Sequence, residues 1–557
     1  MQFRWNHTQG APDYDRETGF GFVTGAVYTA DAALHIPETN SGFLPLWWYA
    51  GTPISDIRQS EYGLQATAAE ALRTEDAADR RLPVWLRVQV PGEGVYRAEI
   101  TMTGTDGGEV LVFTGRRRLA WRGVLPAGAQ QIVTAYCDVF PIVPRGQADA
   151  VASDAVNIAV VGGTLSAVAL AEAPHTRRIW VCGDSTVTDQ TGELPYAPGT
   201  SYAGWGQMLP AYLPEVCITN HAHSGLTTES FLSEGHWAIV KPRLRAGDIC
   251  LFQFGHNDQK LAHLQARGGY TDRLRTYIKE TRTAGAVPVL ITPLARNSWR
   301  DPTHYNDFLA DFADAVLDLG KEEAVPVLDL HAYAMQLILQ EGLETAKRWF
   351  YPGDYTHTND FGAYRMAGFV AGALGKAVGL PVADSPAWTP APPFAPLTPP
   401  KDCALPAPDT DPFADYDATR PQEVLTRAEA LELAIKALKL FPINVYNDLY
   451  ADIVGHETYA GTVQCAAQND LIPAAWIADG RLYPQRTVTA ADFLAVLMPG
   501  AAGRRPLAAP SPLPDSVPAY ARFAAGQAVA EQLISADSLN DPITRSDAAA
   551  LCRRLHI

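Results

Sequence analysis

The run RIWVCGDSTVTDQ, residues 178–190, places Ser185 directly after an apolar stretch, a glycine and an acid. A serine hydroxyl attacks a carbonyl only when a nearby base takes its proton, and an imidazole does this best when an acid fixes its tautomer. Two Asp-x-x-His stretches could supply that pair: Asp301 with His304 in DPTH, and Asp354 with His357 in DYTH. The first leads straight into the helical pattern NDFLADFADAVLDL, which assigns it to a surface loop and helix start. The second follows the last strand-like run and precedes GAYRMAGFVAGAL, a helix that covers a sheet. Its loop can return over strand ends, so His357 is the expected base and Asp354 its partner. Charge that builds on the attacked carbonyl oxygen needs fixed donors. Candidates are the backbone N–H groups of Ser185 and Gly225 and the side-chain amide of Asn257. Glycine permits close backbone approach, and an amide does not titrate away.

These residues need elements that bring them together. Between 175 and 382 the apolar runs RIWVCGD, EVCITNHAHSG, GDICLFQFGHND, AVPVLITPLA and AVPVLDLHA read as strands buried on both faces. Helical stretches such as YTDRLRTYIKETRTAG alternate with the later runs. That rhythm indicates a parallel sheet in an α/β domain, whose sites form at the strand carboxyl ends. GDST, NHAHSG and GHND all fall at such ends. Ser185 is expected on a strand-to-helix turn, which presents its hydroxyl at the top of the sheet.

The blocks GDS, a glycine loop after the second strand, GxND and DxxH, in that order, resemble the SGNH hydrolases. GDSTV, GWGQ, EGHWAIVKPRLRAGD, FQFGHNDQK, AVPVLITPLAR, VPVLDLHA and DYTHTND resemble one branch, the rhamnogalacturonan acetylesterases, over about residues 178–378. The resemblance implies a flavodoxin-like three-layer α/β/α fold, no metal or other cofactor, and removal of acetyl groups from a plant polysaccharide. It assigns Ser185 as nucleophile, His357 as base, Asp354 as its partner, and Gly225 and Asn257 to the oxyanion hole with Ser185. His256, Trp205 and Leu226 are expected to face substrate. Where that branch carries arginines in the glycine loop, this chain reads GLTTESF, with Leu226 and Glu229. Arginine suits bidentate carboxylate recognition, so a neutral acetylated xylan or mannan joins pectin as a candidate substrate. His221, His223 and His236 are expected to be loop polar residues. Two other readings stay open: a lipase or thioesterase acting on another acyl ester, and a non-catalytic glycan- or cell-wall-binding protein.

The chain of 557 residues is too long for one core and suggests about three domains. Its net charge of −17 argues against a nucleic-acid partner and offers no basic face to an acidic membrane. No apolar run is long enough to span a bilayer. The start, MQFRWNHTQGAPDYDRETG, has no basic and apolar leader pattern. The expectation is a cytoplasmic protein, or a secreted or cell-surface one if a leader has been removed. The seven cysteines show no CxxC and no zinc spacing, and Cys182, Cys217 and Cys250 sit in or beside strand-like runs as small core residues.

Residues 1–174 hold short runs rich in β-branched and aromatic residues, among them PVWLRVQV, VYRAEITMTG and GEVLVFTG. They predict a β-sandwich, with a carbohydrate-binding role left open; Trp47, Trp48 and Tyr49 could stack on sugar rings, but core plugs are the favoured reading. Residues 383–424 are proline-dense and predict a semi-rigid linker rather than a packed element. Residues 425–557 predict a helical module. LTRAEALELAIKAL, TVTAADFLAVLM and ITRSDAAALCRRL each place a Thr before an acid at about the third helical position, a capping pattern recurring at roughly 60-residue spacing. These repeats resemble S-layer homology repeats, which implies a cell-wall polymer or self-association as the partner of this region.

Overall fold

The computed structural model describes residues 1–23, 27–28, 33–35, 44–45, 56–67, 82–143, 149–190, 192, 196, 198–261, 263–301, 304–390, 411–438, 440, 449–453, 457–502 and 506–555. The chain divides into two compact units. One takes in residues 1–258, 266–297 and 307–398, the other 259–265, 298–306 and 399–557.

In the first unit, the described N-terminal residues form a small antiparallel sheet of Val27–Tyr28, Ala33–His35 and Leu44–Pro45 and two large ones. One has the strand order Gln130–Val139, Gly94–Gly104, Gly163–Glu172, Gly63–Thr67, Asp56–Ser60, with Gln2–Asn6 added beside Gly163–Glu172. The other runs Arg118–Val124, Glu109–Thr114, Ala155–Val161, Val84–Gln89, Phe20–Phe22. Burial alternates along Gly94–Gly104 and Gln130–Val139, the period-two signature of strands with one face inward. Trp47, Trp48 and Tyr49 lie outside the described residues.

The α/β part follows. Its five strands are β1 (Arg178–Gly183), β2 (Cys217–Asn220), β3 (Ile249–Gln253), β4 (Val287–Ile291) and β5 (Val327–Leu328). All pair in parallel, in the order β2-β1-β3-β4-β5. This is a doubly wound order with its switch point beside β1. Every residue of β1, β2 and β3 is buried, which is why these strands read as unbroken apolar runs rather than alternating ones. Cys182, Cys217 and Cys250 are buried free thiols in them. The longer helices of this part are α1 (Thr271–Thr283), α2 (Ala310–Glu322), α3 (Leu330–Ala346) and α4 (Asp360–Val378).

The described ends of the proline-dense stretch are mostly exposed, but three of their aromatics are buried, which a linker without packing does not predict. Trp388 is buried, with its ring against Phe361 and Tyr364 and the Arg122 guanidinium over it. At the other end Phe413 and Tyr416 belong to the core of the second unit. Aromatics spaced among prolines gave those ends something to bury.

The second unit is helical, with α5 (Arg427–Ala437), α6 (Ala490–Ala502) and α7 (Arg545–Leu555) each entered through the expected Thr. Thr426 accepts from the Glu429 N–H at 3.3 Å while Glu429 accepts from the Thr426 N–H at 2.9 Å. Thr489 and Asp492 repeat this exchange, and Thr544 accepts from the Asp547 N–H. The three entries are tied in a ring: Leu425 N–H to Ile543 O, Ile543 N–H to Val488 O, and Val488 N–H to Leu425 O, at 2.9–3.3 Å. Thr426→Ala removes one cap, and the unfolding of this unit is expected to lose about 1 kcal/mol, read as a lower midpoint in a denaturant titration followed through Trp476.

Candidate active site

Ser185 stands at the carboxyl end of β1. Asp184 builds its turn: the carboxylate accepts from the Thr186 N–H at 2.9 Å and the Thr186 hydroxyl at 2.8 Å, and the Asp184 carbonyl accepts from the N–H groups of Val187 and Thr188. Gly183 is required because a Cβ there would lie 2.6 Å from the Gln253 carbonyl oxygen of β3. The turn does not continue into a helix as expected. Among the described residues, the next helix after the turn is the short one at Trp205–Met208.

The Ser185 Oγ lies 2.8 Å from His357 Nε2, and His357 Nδ1 lies 2.8 Å from Asp354 Oδ2. A carboxylate only accepts, so Nδ1 carries the proton and Nε2 is left to accept from the Ser185 hydroxyl. Asp354 also shapes the loop that carries the imidazole. Its Oδ1 accepts from the N–H groups of Thr356 at 2.6 Å and His357 at 2.9 Å. Burial pushes the Asp354 carboxyl up, but the hydrogen bonds from His357 and Thr356 outweigh it and hold the group below the usual carboxylate range. Immediately after His357, Thr358 bonds to Ala203 in both directions and Asn359 caps α4 by accepting from the Gly362 N–H.

The residues expected to give the other donors lie on two loops. Gly225 has φ +88°, in the left-handed region, and a Cβ there would meet nothing within 4 Å. Asn257 donates to the Leu226 carbonyl at 3.0 Å, which takes one of its two amide hydrogens. The two loops are joined by Asp258, which accepts from the Thr228 N–H and hydroxyl at 2.8 and 2.6 Å and from the Gly255 N–H at 3.1 Å. Burial pushes the Asp258 carboxyl up to about 6, against the pull of these donors. Gly225→Ala tests the glycine loop by backbone strain alone, since space is available. It is expected to cost about 1 kcal/mol of stability and to lower ester turnover by more than that loss explains, measured as melting temperature and kcat side by side.

Residues 181–365 match the GDSL-like Lipase/Acylhydrolase family. The chain is similar to the rhamnogalacturonan acetylesterase RhgT of Bacillus subtilis, 33% identical over 222 residues, covering 37% of this chain and 93% of RhgT. It is also similar to the uncharacterised esterase YxiM of the same organism, 25% identical over 370 residues, 64% of this chain and 82% of that protein. The crystal structure of YxiM aligns over 68% of this chain and 99% of its own, with 22% identity and a TM-score of 0.36. The chain belongs to the GDSL-like lipase/acylhydrolase family. It is a serine carboxylic ester hydrolase whose relatives include rhamnogalacturonan acetylesterases.

The substrate-facing residues expected in this GDSL-like centre need correction. Trp205 is 1% exposed and donates its indole N–H to Gln253 at 2.7 Å. Leu226 is 2% exposed and packs in an apolar cluster with Phe231 and Phe254. His256 is 2% exposed, with its ring nitrogens against Asp184 and the Leu294 carbonyl. All three side chains are buried against the interior, so none is placed to touch a sugar. Glu229, the other departure in the glycine loop, pairs with Arg273 at 2.8 Å. His221 and His236 are likewise buried rather than polar loop residues, and burial pulls both below the ordinary imidazole range, His236 to about 4. Asp301 and His304 form two facing strands of a hairpin, not a loop and helix start.

Two residues near the GDSL-like serine went unremarked in the sequence. Gln190 donates its side-chain amide to the Ser185 carbonyl at 2.9 Å. The half-exposed Tyr202 ring stacks on Tyr351 at 3.6 Å and presents to His357 edge-on at 5.7 Å. Neither lies in a block that carried the resemblance, and only an aromatic in a loop could have hinted at Tyr202. A cavity of about 360 Å³ lies elsewhere, lined by Trp85, Arg87, Arg116, Arg118, Asp138 and Asp189 among others, and does not include Ser185.

Proposed function

We propose that this protein is a carbohydrate O-acetyl esterase working through Ser185, His357 and Asp354. The observation that carries the reading is the unbroken Ser185–His357–Asp354 chain of 2.8 Å contacts at a strand end, in a chain 33% identical to RhgT. Ser185 Oγ attacks the acetyl carbonyl carbon as His357 Nε2 takes its proton. The tetrahedral oxyanion is met by the N–H groups of Ser185 and Gly225 and the Asn257 amide. Collapse breaks the bond to the sugar oxygen, which leaves with the proton from His357. Water, deprotonated by the same imidazole, then cleaves the acetyl-serine and frees acetate. Asp354 holds the tautomer and the imidazolium throughout. The exposed Tyr202–Tyr351 stack beside His357 supports a ring-shaped alcohol as leaving group.

The substrate we assign is rhamnogalacturonan-type pectin or, because the glycine loop GLTTESF carries no arginine, xylan or mannan. Acetate release from acetylated forms of all three, with a chain-length series of nitrophenyl esters alongside, separates the cases. Release from a glycan with preference for acetyl esters supports the reading. Preference for long acyl chains would replace it with a lipase, and glycan binding without any turnover would replace it with a binding protein.

For the flanking regions we read residues 1–174 as a β-sandwich and residues 425–557 as S-layer-homology-like repeats. The ring of backbone bonds between Leu425, Val488 and Ile543 supports three equivalent units. The repeat reading assigns a cell-wall polymer as partner, so the full chain should co-sediment with insoluble cell-wall material. A chain that stays wholly in the supernatant would count against it.

A further inference from the structure

One side chain from the N-terminal sheets reaches both halves of the catalytic centre. The hairpin between Glu109–Thr114 and Arg118–Val124 turns through GRRR, residues 115–118, with Arg117 in the left-handed region at φ +61°. Arginine has no intrinsic reason to adopt that conformation, so the surrounding contacts impose it. Arg117 is fully buried. Its three nitrogens go to three different places: Nε donates to the Gln190 carbonyl at 3.1 Å, Nη1 to Asp360 Oδ1 at 2.8 Å, and Nη2 to the Tyr202 carbonyl.

Each acceptor is one step from the chemistry. Gln190 bonds the Ser185 carbonyl through its side chain. Tyr202 sets its ring edge against His357, and its neighbour Ala203 pairs with Thr358. Asp360 opens α4, three residues after His357, and also accepts from the Tyr196 hydroxyl at 2.8 Å and the Gly199 N–H at 2.9 Å. A guanidinium suits this task because it is planar, always charged and carries donors in fixed directions, which a lysine does not.

We propose that Arg117 is a positioning residue that sets the Ser185 turn and the His357 loop at their working separation, so that the N-terminal sheets are part of the catalytic apparatus rather than an appended module. The inference rests on the esterase reading above. A shift of about 1 Å between nucleophile and base is enough to lower turnover about 100-fold without touching ground-state binding.

Arg117→Ala leaves Asp360 buried without its cation and is expected to fold poorly. The informative variant is therefore Arg117→Met with Asp360→Asn, which removes both charges. Two readouts are taken on the full chain: hydrogen exchange over residues 185–203 and 350–360, and kcat and KM on nitrophenyl acetate. The expected result is faster exchange in both segments, unchanged exchange in β1 and β3, kcat lower by about 10- to 100-fold and KM within about twofold. Arg117→Lys with Asp360 retained should recover part of kcat. Unchanged exchange in the two segments, or a folded double variant with wild-type kcat, would overturn the proposal. Wild-type protein that turns over no ester, while the two segments of the variant still loosen together, would sink the esterase reading and leave the clamp standing.

Discussion

Ser185→Ala is expected to lose roughly 10⁵- to 10⁶-fold in kcat on any ester the protein hydrolyses, with its melting temperature unchanged. The size follows from the role: without the oxygen no acyl-enzyme forms, and only donors and bound water remain. Stability is spared because the hydroxyl's contact is with His357, whose side chain is about one-third exposed and can turn to water. A variant that keeps more than about a hundredth of wild-type turnover would remove Ser185 as the nucleophile. Acetate release by ion chromatography gives the rate, and circular dichroism gives the melting curve.

Asp354→Asn is expected to cost about 10⁴-fold in kcat for a different reason. The Asp354 oxygens have separate tasks: Oδ1 takes two backbone N–H groups of the loop, and Oδ2 takes His357 Nδ1–H. In the amide the loop keeps its acceptor, and the new NH₂ faces Nδ1. The imidazole then carries its proton on Nε2, facing Ser185, where it cannot accept. Fold and KM should therefore survive while kcat does not. The substitution also changes acid stability, with a sign that can be stated. The Asp354 carboxyl is held below its ordinary range in the folded protein, so its ionised form stabilises the fold above the unfolded value of about 3.9. That contribution is lost as pH falls through the folded value. Wild type should be more stable than the variant at neutral pH, and the gap should close on acidification, read from melting temperatures across the pH range. A gap that widens toward acid would contradict the assigned hydrogen bonds.

The α/β part was legible because its strands are buried on both faces. RIWVCGD and GDICLFQF have no alternation to confuse with a half-exposed strand, and each ends in a glycine turn. The helix caps were legible for a local reason: Thr426 with Glu429 is a contact three residues long. Ser185 and His357 are 172 positions apart, and only the order of the blocks between them joined the two. What the sequence hid is orientation. Trp205, Leu226 and His256 lie in or beside the blocks that carry the resemblance, yet their side chains point inward, because each segment needs an anchor as well as an outer face. GRRR reads as a basic surface turn. That Arg117 is buried against Asp360, 243 residues on, depends on how two sheets and a helix meet, and no local pattern encodes that. Trp388 and Tyr416 likewise show that prolines describe a backbone, not what its aromatics will find to bury.

A serine-directed fluorophosphonate, followed by digestion and mass spectrometry, asks whether Ser185 is the activated nucleophile of an acyl-transfer centre. A single label is expected on Ser185, slowed by Asp354→Asn and prevented by excess acetylated oligosaccharide. Label on another residue, or a labelling rate indifferent to Asp354→Asn and to the acetylated sugar, would rule that role out.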